Sequence, residues 1–267
     1  MKIGLGSYAL AWAIGAPGYP PEHPMDSFGF IDCAAKHGFK LVQIADNLPL
    51  HELSEGELER LKNLTQSLDI EVEVGTRGIA NGNLERYLAL AQFFNSPLLR
   101  VVVDSDGHHP DPNEVSQIVA KVLPKFEAAG VTLAIENHDR FKARDLLKIL
   151  ETLDSAHVGI CLDTVNSFGA LEGPEVVTKT LAPHVVNVHI KDFDIRREAH
   201  NMGFRIFGTP AGQGVLDIPW LVESLDMKGR KINAILELWP APEENLERTI
   251  AKEAQWLAQS VQVLQAL

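Results

Sequence analysis

Short apolar runs and longer stretches with helical periodicity alternate along the whole chain. The apolar runs are rich in Val and Ile and are often continuous, which is typical of parallel strands buried on both faces. We therefore predict strands at residues 2–8, 40–45, 70–76, 98–104, 131–136, 157–163, 184–190 and 233–238.

The stretches between these strands carry helix start and stop signals. Pro112 lies near the start of one stretch and Gly130 at its end, where helices favour these residues. Strict alternation of strand and helix predicts an α/β fold with right-handed crossovers. The clearest predicted helices cover residues 27–38, 53–68, 111–130 and 242–264.

The length of 267 residues suits a single (β/α)₈ TIM barrel, so we predict one domain over residues 1–267. An open, doubly wound sheet is the main alternative. That alternative lacks its usual phosphate loop, because neither G-x-G-x-x-G nor G-x-x-x-x-G-K-[ST] follows an early strand. Two connections, 9–25 and 191–215, are long for a barrel and are predicted to be lids or binding loops.

Four predicted strands in the carboxyl half of the chain end in an acidic or imidazole side chain: Glu136, Asp163, His189 and Glu237. The carboxyl ends of parallel barrel strands meet at one end of the barrel, where barrel enzymes place their chemistry. Three carboxylates and one imidazole form a donor set suited to one divalent ion such as Mn²⁺ or Mg²⁺. The pattern predicts a metal-dependent enzyme.

Composition narrows the choice of partners. A formal charge of −12 argues against nucleic acid or an anionic membrane as a partner, since either requires a cationic face. Two cysteines form no disulfide framework and fit a reducing compartment. The first residues show no signal-peptide pattern, and no apolar run is long enough to cross a bilayer, so we expect a cytoplasmic protein.

The sequence segments at the ends of the last predicted strands resemble those of a known enzyme family. The segments AIENH, GICLDT, VNVHIKD and ILELWP, with the later GQGVLD, resemble the xylose isomerase-like TIM barrels, a group of sugar phosphate isomerases and epimerases. The resemblance implies a (β/α)₈ barrel that holds one divalent ion, commonly Mn²⁺, Mg²⁺ or Co²⁺, with Zn²⁺ as an alternative. It places the four metal ligands on Glu136, Asp163, His189 and Glu237. It also implies that Glu136 and Glu237 act as base and acid on opposite faces of the substrate.

Some positions depart from the pattern of these relatives. Asn166 stands where many of them carry a histidine, and an amide exchanges no proton near neutral pH. Lys142 stands where ketohexose 3-epimerases have an acidic residue, and an ammonium there would favour a negatively charged substrate group. The Glu136-Asn137-His138 element resembles metal-dependent dehydratases as much as isomerases.

Several residues are candidates for binding the substrate. His138 faces the same way as Glu136 on an extended segment and could reach a substrate oxygen, while Asn166 could hydrogen-bond a hydroxyl. Lys142 and Arg205 could bind a carboxylate or phosphate, and Trp12 could form an apolar wall. Other basic residues near the predicted site are weaker candidates, because a solvated surface charge is the default for any one of them: Arg77, Arg140, Lys191 and Arg196.

The sequence leaves three functions open. The first is an isomerase or epimerase of a small sugar or sugar derivative, acting through a metal-stabilised enediolate. The second is a metal-dependent lyase, either a decarboxylase of a 3-oxo sugar acid or a dehydratase. The third is a sugar-binding barrel without activity. The expected partner is a small carbohydrate or sugar acid, and association into a homo-oligomer is left open.

Overall fold

The computed structural model describes residues 1–80 and 82–267. Eight parallel strands close into a barrel in which the first strand pairs with both the second and the last. This closure confirms the predicted TIM barrel and excludes the open sheet. The barrel strands are β1 (Ile3–Gly6), β2 (Leu41–Ile44), β3 (Glu71–Arg77), β4 (Leu98–Val102), β5 (Thr132–Glu136), β6 (Val158–Asp163), β7 (Val185–Ile190) and β10 (Asn233–Leu236).

Helices surround the barrel, and side-chain caps fix where several of them begin. Ser54 and Glu57 form a capping box, and Asp111 accepts a hydrogen bond from the Glu114 N–H. Pro124 lies inside its helix without ending it. The helices are α1 (Ala11–Ile14), α2 (Ser27–Lys36), α3 (Glu55–Ser67), α4 (Asn83–Phe94), α5 (Pro112–Ala129), α6 (Ala143–Leu153), α7 (Pro174–Leu181), α8 (Ile218–Ser224), α9 (Met227–Arg230) and α10 (Leu246–Leu264).

The connection after β7 contains regular structure that the sequence did not predict. Residues Asp192–Arg197 (β8) and Phe204–Thr209 (β9) pair as an antiparallel hairpin. The Asp192 carboxylate anchors its base by accepting hydrogen bonds from the N–H groups of Gly212, Gly214 and Leu216. A Cβ at Gly214 would lie 2.2 Å from Asp192 Oδ1, so only glycine fits this approach.

The connection after β1 is held against the closing helix α10. It forms a 3₁₀ turn (Ser7–Leu10) and the short helix α1. The fully buried Glu253 of α10 accepts hydrogen bonds from the Trp12 N–H at 2.9 Å and the Ala13 N–H at 3.0 Å. This carboxyl group ties the loop to the outside of the barrel.

The apolar core lies mainly between the barrel and its helices, whereas polar side chains fill much of the barrel interior. Gly6 of β1 leaves room for Glu237, because a Cβ there would lie 2.9 Å from Glu237 Cγ. Within the described ranges, none of the helices is long and apolar enough to cross a membrane.

Candidate metal centre

The structure brings the four predicted donors together at the carboxyl end of the barrel. Asp163 pairs with His189 in the β6–β7 register, and Glu237 directly follows β10. His189 Nδ1 lies 3.4 Å from Glu136 Oε2, 3.7 Å from Asp163 Oδ2 and 3.4 Å from Glu237 Oε1. All four side chains are almost completely buried.

The donor atoms of this cluster fit a divalent cation. Within the described part of the chain, no hydrogen-bond partner is found for Asp163 Oδ2, His189 Nδ1 or either carboxylate oxygen of Glu237. Buried polar atoms are normally hydrogen-bonded. Here Asp163 Oδ2 and Glu237 Oε2 have ion-pair contacts with Lys191, and His189 Nδ1 faces carboxylate oxygens at 3.4 Å, so these atoms are available to a ligand. The donor atoms of Asp163, His189 and Glu237 lie within 4.8 Å of one another.

The Lys191 ammonium borders this cluster and faces two of the carboxylates. Its Nζ lies 2.7 Å from Asp163 Oδ2 and 2.9 Å from Glu237 Oε2, and the side chain is 13% exposed. At these distances the ammonium forms ion pairs with both carboxylates. Burial alone would lower the pKa of Lys191, but the attraction of Asp163 and Glu237 outweighs it and raises the pKa.

The same balance acts on the carboxylates. Burial alone would raise the pKa of Asp163, but Lys191 and His189 outweigh it and hold the pKa below its usual range. The pKa of Glu237 is likewise lowered, because His189, Lys191 and Arg100 outweigh the effect of burial. These cations therefore favour the ionised forms of Asp163 and Glu237.

A second buried cation, Arg100 of β4, lies on the opposite side of the cluster. Its Nε donates to Glu136 Oε2, and its Nη1 donates to Asp46 Oδ1 at 3.2 Å. Asp46 Oδ2 in turn accepts from Arg77 Nε at 3.2 Å and from the Tyr8 hydroxyl at 2.9 Å. Burial would lower the pKa of Arg100, but Glu136 and Asp46 outweigh it, so the guanidinium stays charged.

A cavity of about 280 Å³ opens beside Lys191. Asn166 connects the cavity to the cluster, since its Nδ2 donates to Glu136 Oε1 at 2.7 Å and its Oδ1 lies 3.5 Å from Lys191 Nζ. Asn166, a predicted substrate-binding residue, therefore lies beside the candidate ligand Glu136. The cavity is lined by Asp139, Val165, Asn166, Phe168, Gly169, Lys191, Ile206 and Trp239.

The other predicted binding residues lie further out. The His138 imidazole is half-buried and its Nδ1 lies 3.1 Å from Asp139 Oδ2. Lys142 is exposed at the start of α6, and the Arg205 side chain is 68% exposed on β9, 3.9 Å from Glu198. Trp12 donates its indole N–H to the Pro240 carbonyl at 3.0 Å, which places it beside the segment that follows Glu237.

Beneath the cluster, the barrel interior holds a layer of polar side chains, which we call the polar layer: Gln43, Glu73, Asn187 and Asn233. Gln43 Oε1 contacts His189 Nε2 at 2.7 Å. The Glu73 carboxylate accepts from the amides of all three other members. Burial raises the pKa of Glu73, and the three amide hydrogen bonds oppose that shift.

Arg100 and the polar layer were not among the predicted site residues. Their signal in the sequence is a single polar or charged residue inside an apolar run, as in LLRVVV for Arg100 and LVQIA for Gln43. Such a residue must face the barrel interior when its neighbours face the helices. The alternation places Glu73 and Asn187 inside the barrel in the same way.

The protein is thus a closed β/α barrel with buried carboxylates and an imidazole at the carboxyl end, and comparison with known proteins identifies its family. The model of the xylose isomerase-like TIM barrel family matches residues 31–260. The chain belongs to this family.

Individual relatives cover nearly the whole chain. The chain is 35% identical over 264 residues to the 3-oxo-isoapionate decarboxylase of Pectobacterium atrosepticum, covering 99% of this chain and 95% of the relative. Among solved structures, D-psicose 3-epimerase from Clostridium cellulolyticum H10 superposes with a TM-score of 0.67 at 18% identity, covering 99% of both chains. A xylose isomerase-like TIM barrel protein from Mycobacterium smegmatis in complex with magnesium superposes with a TM-score of 0.68 at 13% identity, covering 97% of this chain and 96% of that protein.

Proposed function

We propose that this protein is a metal-dependent decarboxylase of a 3-oxo sugar acid, with 3-oxo-isoapionate or a close analogue as its substrate. The observation that carries the proposal is a pair of cations in contact with the candidate metal ligands, the buried Arg100 and the mostly buried Lys191. The full-length similarity to a 3-oxo-isoapionate decarboxylase supports the same assignment.

Charge balance explains why the two cations favour an acid substrate. Three ligand carboxylates and one divalent ion have a net charge of about −1, so that arrangement alone would repel an anion. Adding the cations Lys191 and Arg100 changes the net charge to about +1, and the charge of Asp46 is balanced by Arg77. In a site that excludes water these charges are weakly screened, so a substrate carboxylate is attracted.

The predicted ligands Glu136, Asp163, His189 and Glu237 would hold the divalent ion. When bound, that ion supplies Lewis acidity to the oxo and neighbouring hydroxyl oxygens of the substrate. Mn²⁺ and Mg²⁺ suit the oxygen-rich donor set best, and Co²⁺ or Zn²⁺ are alternatives.

The chain's own residues orient the acid and remove the product. Lys191, at the boundary between the cavity and the cluster, binds the substrate carboxylate. The bond from the carboxylate carbon to its neighbour breaks, CO₂ leaves, and the electron pair stays on the substrate as an enediolate. Apolar walls from Val165, Phe168 and Trp239 exclude water and favour the departure of neutral CO₂.

The carbon that loses CO₂ then takes a proton to give a hydroxyketone. Lys191 lies on the side from which CO₂ departs, so its ammonium is placed to donate that proton. In this reaction Glu136 and Glu237 hold the ion rather than carry protons. The acid–base roles implied for them by the family resemblance belong to the alternative isomerase or epimerase reaction.

The experiment measures CO₂ release from 3-oxo-isoapionate by protein loaded with Mn²⁺. Ketopentoses and ketohexoses are tested in parallel for deuterium uptake in heavy water. CO₂ release with one deuterium incorporated into the product supports the decarboxylase. Deuterium uptake into a ketose without CO₂ release would overturn it in favour of the isomerase, and inactivity of the loaded protein on both substrates would favour a binding protein.

A further inference from the structure

The polar layer forms a continuous chain of hydrogen bonds that ends on a candidate metal ligand. Glu73 Oε2 accepts from Gln43 Nε2 at 3.2 Å and from Asn187 Nδ2 at 2.9 Å. Gln43 Nε2 also contacts Asn187 Oδ1 at 3.1 Å, and Gln43 Oε1 contacts His189 Nε2 at 2.7 Å. Barrel interiors are usually packed with branched apolar side chains, so a buried polar chain of this length calls for a function.

The direction of these hydrogen bonds is set at Glu73. Three amide N–H groups point at its two oxygens, an arrangement that favours the ionised carboxylate, which can only accept. The Gln43 amide must therefore turn its NH₂ toward Glu73. Asn187, which also donates to Glu73, turns its Oδ1 toward the same NH₂ of Gln43.

These hydrogen bonds determine which nitrogen of the His189 imidazole carries a proton. With its NH₂ committed to Glu73 and Asn187, Gln43 has only its carbonyl oxygen left to face the imidazole. A carbonyl can only accept, so His189 Nε2 must carry a proton. In the neutral ring, the lone pair is then on Nδ1, the atom that faces Glu136, Asp163 and Glu237.

We propose that Glu73 is a positioning residue that selects the ligating tautomer of His189 through Gln43. This inference rests on the metal site of the proposed function and adds to it a buried acid, on a different strand, that controls ion affinity without touching the ion. Hydrogen-bond partners behind a metal ligand typically change metal affinity about 10–100-fold when they are removed.

The test measures the dissociation constant of Mn²⁺ by equilibrium dialysis for the wild type and three variants. In the Glu73→Gln variant, the new amide can donate to the Gln43 carbonyl, so the Gln43 amide can turn its NH₂ toward His189. The imidazole proton then moves to Nδ1, the ligating nitrogen, and the dissociation constant of Mn²⁺ should rise about 10–100-fold. The exchange variant Gln43→Glu/Glu73→Gln restores an acceptor facing His189 and a donor behind it. It should return the constant to within about threefold of the wild type, because the acceptor sets the tautomer.

Asn233→Ala is the matched control for damage to the barrel interior. Asn233 donates to Glu73 Oε1 at 2.9 Å but makes no part of the path to His189. It should lower stability and leave the dissociation constant within about threefold of the wild type, since the His189 partner is kept. An Asn233→Ala effect as large as that of Glu73→Gln would overturn the inference.

The outcomes separate this inference from the proposed function. If the wild type binds no Mn²⁺, the proposed metal site fails. If the wild type binds Mn²⁺ and Glu73→Gln binds it equally well, or if the exchange variant stays as weak as Glu73→Gln, the positioning role fails alone. Should Glu73→Gln not fold, Gln43→Leu removes the same acceptor, and wild-type affinity in that variant contradicts the proposal.

Discussion

The side chains at the carboxyl end of the barrel form an inner group and an outer group, and the two differ in what surrounds their charges. The inner group projects from strands or strand ends, its side chains are buried or nearly so, and its charges lie against oppositely charged partners. The outer group lies on loops, helix starts and the hairpin, where water screens it. The inner group is Glu136, Asp163, His189, Glu237, Arg100 and Lys191; the outer group is His138, Lys142 and Arg205.

This difference indicates which basic residues would give specificity for an acid substrate. Basic residues occur in both groups, but only Arg100 and Lys191 are held against carboxylates in a dry site. A buried charge pair has a fixed geometry and a strong field, whereas an exposed lysine or arginine attracts anions without orienting them.

The largest expected effect is at the ligands of the inner group. Glu237→Gln keeps the size of the side chain but removes a charged donor, so we expect turnover to fall by at least ~10²-fold, the loss typical of removing one electrostatic group from a transition state. The measurement is kcat at saturating Mn²⁺. A rate within a factor of a few of the wild type would refute the role of Glu237.

The next effect compares the two groups of cations directly. Lys191→Met removes a cation from a desolvated site, which should cost about 3 kcal/mol of binding to the substrate carboxylate, or ~10²-fold in kcat/KM. The outer controls Lys142→Met and Arg205→Met should change kcat/KM by less than about twofold, because their charges are solvated. Equal losses for inner and outer variants would break the distinction between the groups.

A pH effect should distinguish the acids of the inner group from Glu253, a buried acid for which the described residues show no ion pair. Burial raises the pKa of Glu253 to about 7, against an ordinary value of 4.5, and the N–H donors Trp12 and Ala13 only partly oppose it. The folded protein therefore holds this proton more tightly than the unfolded chain does. Stability from this group is complete well below pH ~4.5 and declines up to pH ~7, by about 3 kcal/mol in all.

Urea unfolding at pH 5 and pH 8 measures most of this loss. The Glu253→Gln variant has no titrating group at this position, so its stability relative to the wild type should improve by about 2.5 kcal/mol between the two pH values. A difference that stays constant with pH would show that Glu253 does not titrate in this range.

The smallest effect is expected at an ion pair on the rim. Arg140 donates from Nε to Asp104 Oδ2 at 2.8 Å and from Nη2 to Asp104 Oδ1 at 2.6 Å, but its side chain is 37% exposed. Arg140→Met should lower the free energy of unfolding by no more than about 1 kcal/mol, as is usual for exposed pairs. A loss of several kcal/mol in thermal or urea unfolding would place Arg140 with the inner group.

The inner group was easier to predict from the sequence than the outer one. Continuous apolar runs mark the eight barrel strands, and the ends of four of these runs predict the four donors, which lie together in the closed barrel. Arg100 escaped prediction because one charged residue in an apolar run can be a packing exception or a functional group, and only the closed barrel shows which carboxylates it meets.

The outer group depends on the path of loops, which hydrophobic patterning does not specify. Lys142 and Arg205 were chosen for their positions after strands, but a helix start and a hairpin carry them into solvent. The hairpin itself was predicted only as a loop, since its charged and exposed residues, including Arg196, Arg197 and Phe204, give no buried face to recognise.

The most direct test of the account is an anomalous difference map from a crystal of this protein soaked in MnCl₂. We predict one strong peak per chain, within coordination distance of Glu136, Asp163, His189 Nδ1 and Glu237. A map without a peak among these four side chains, or with the ion bound elsewhere, would contradict the account.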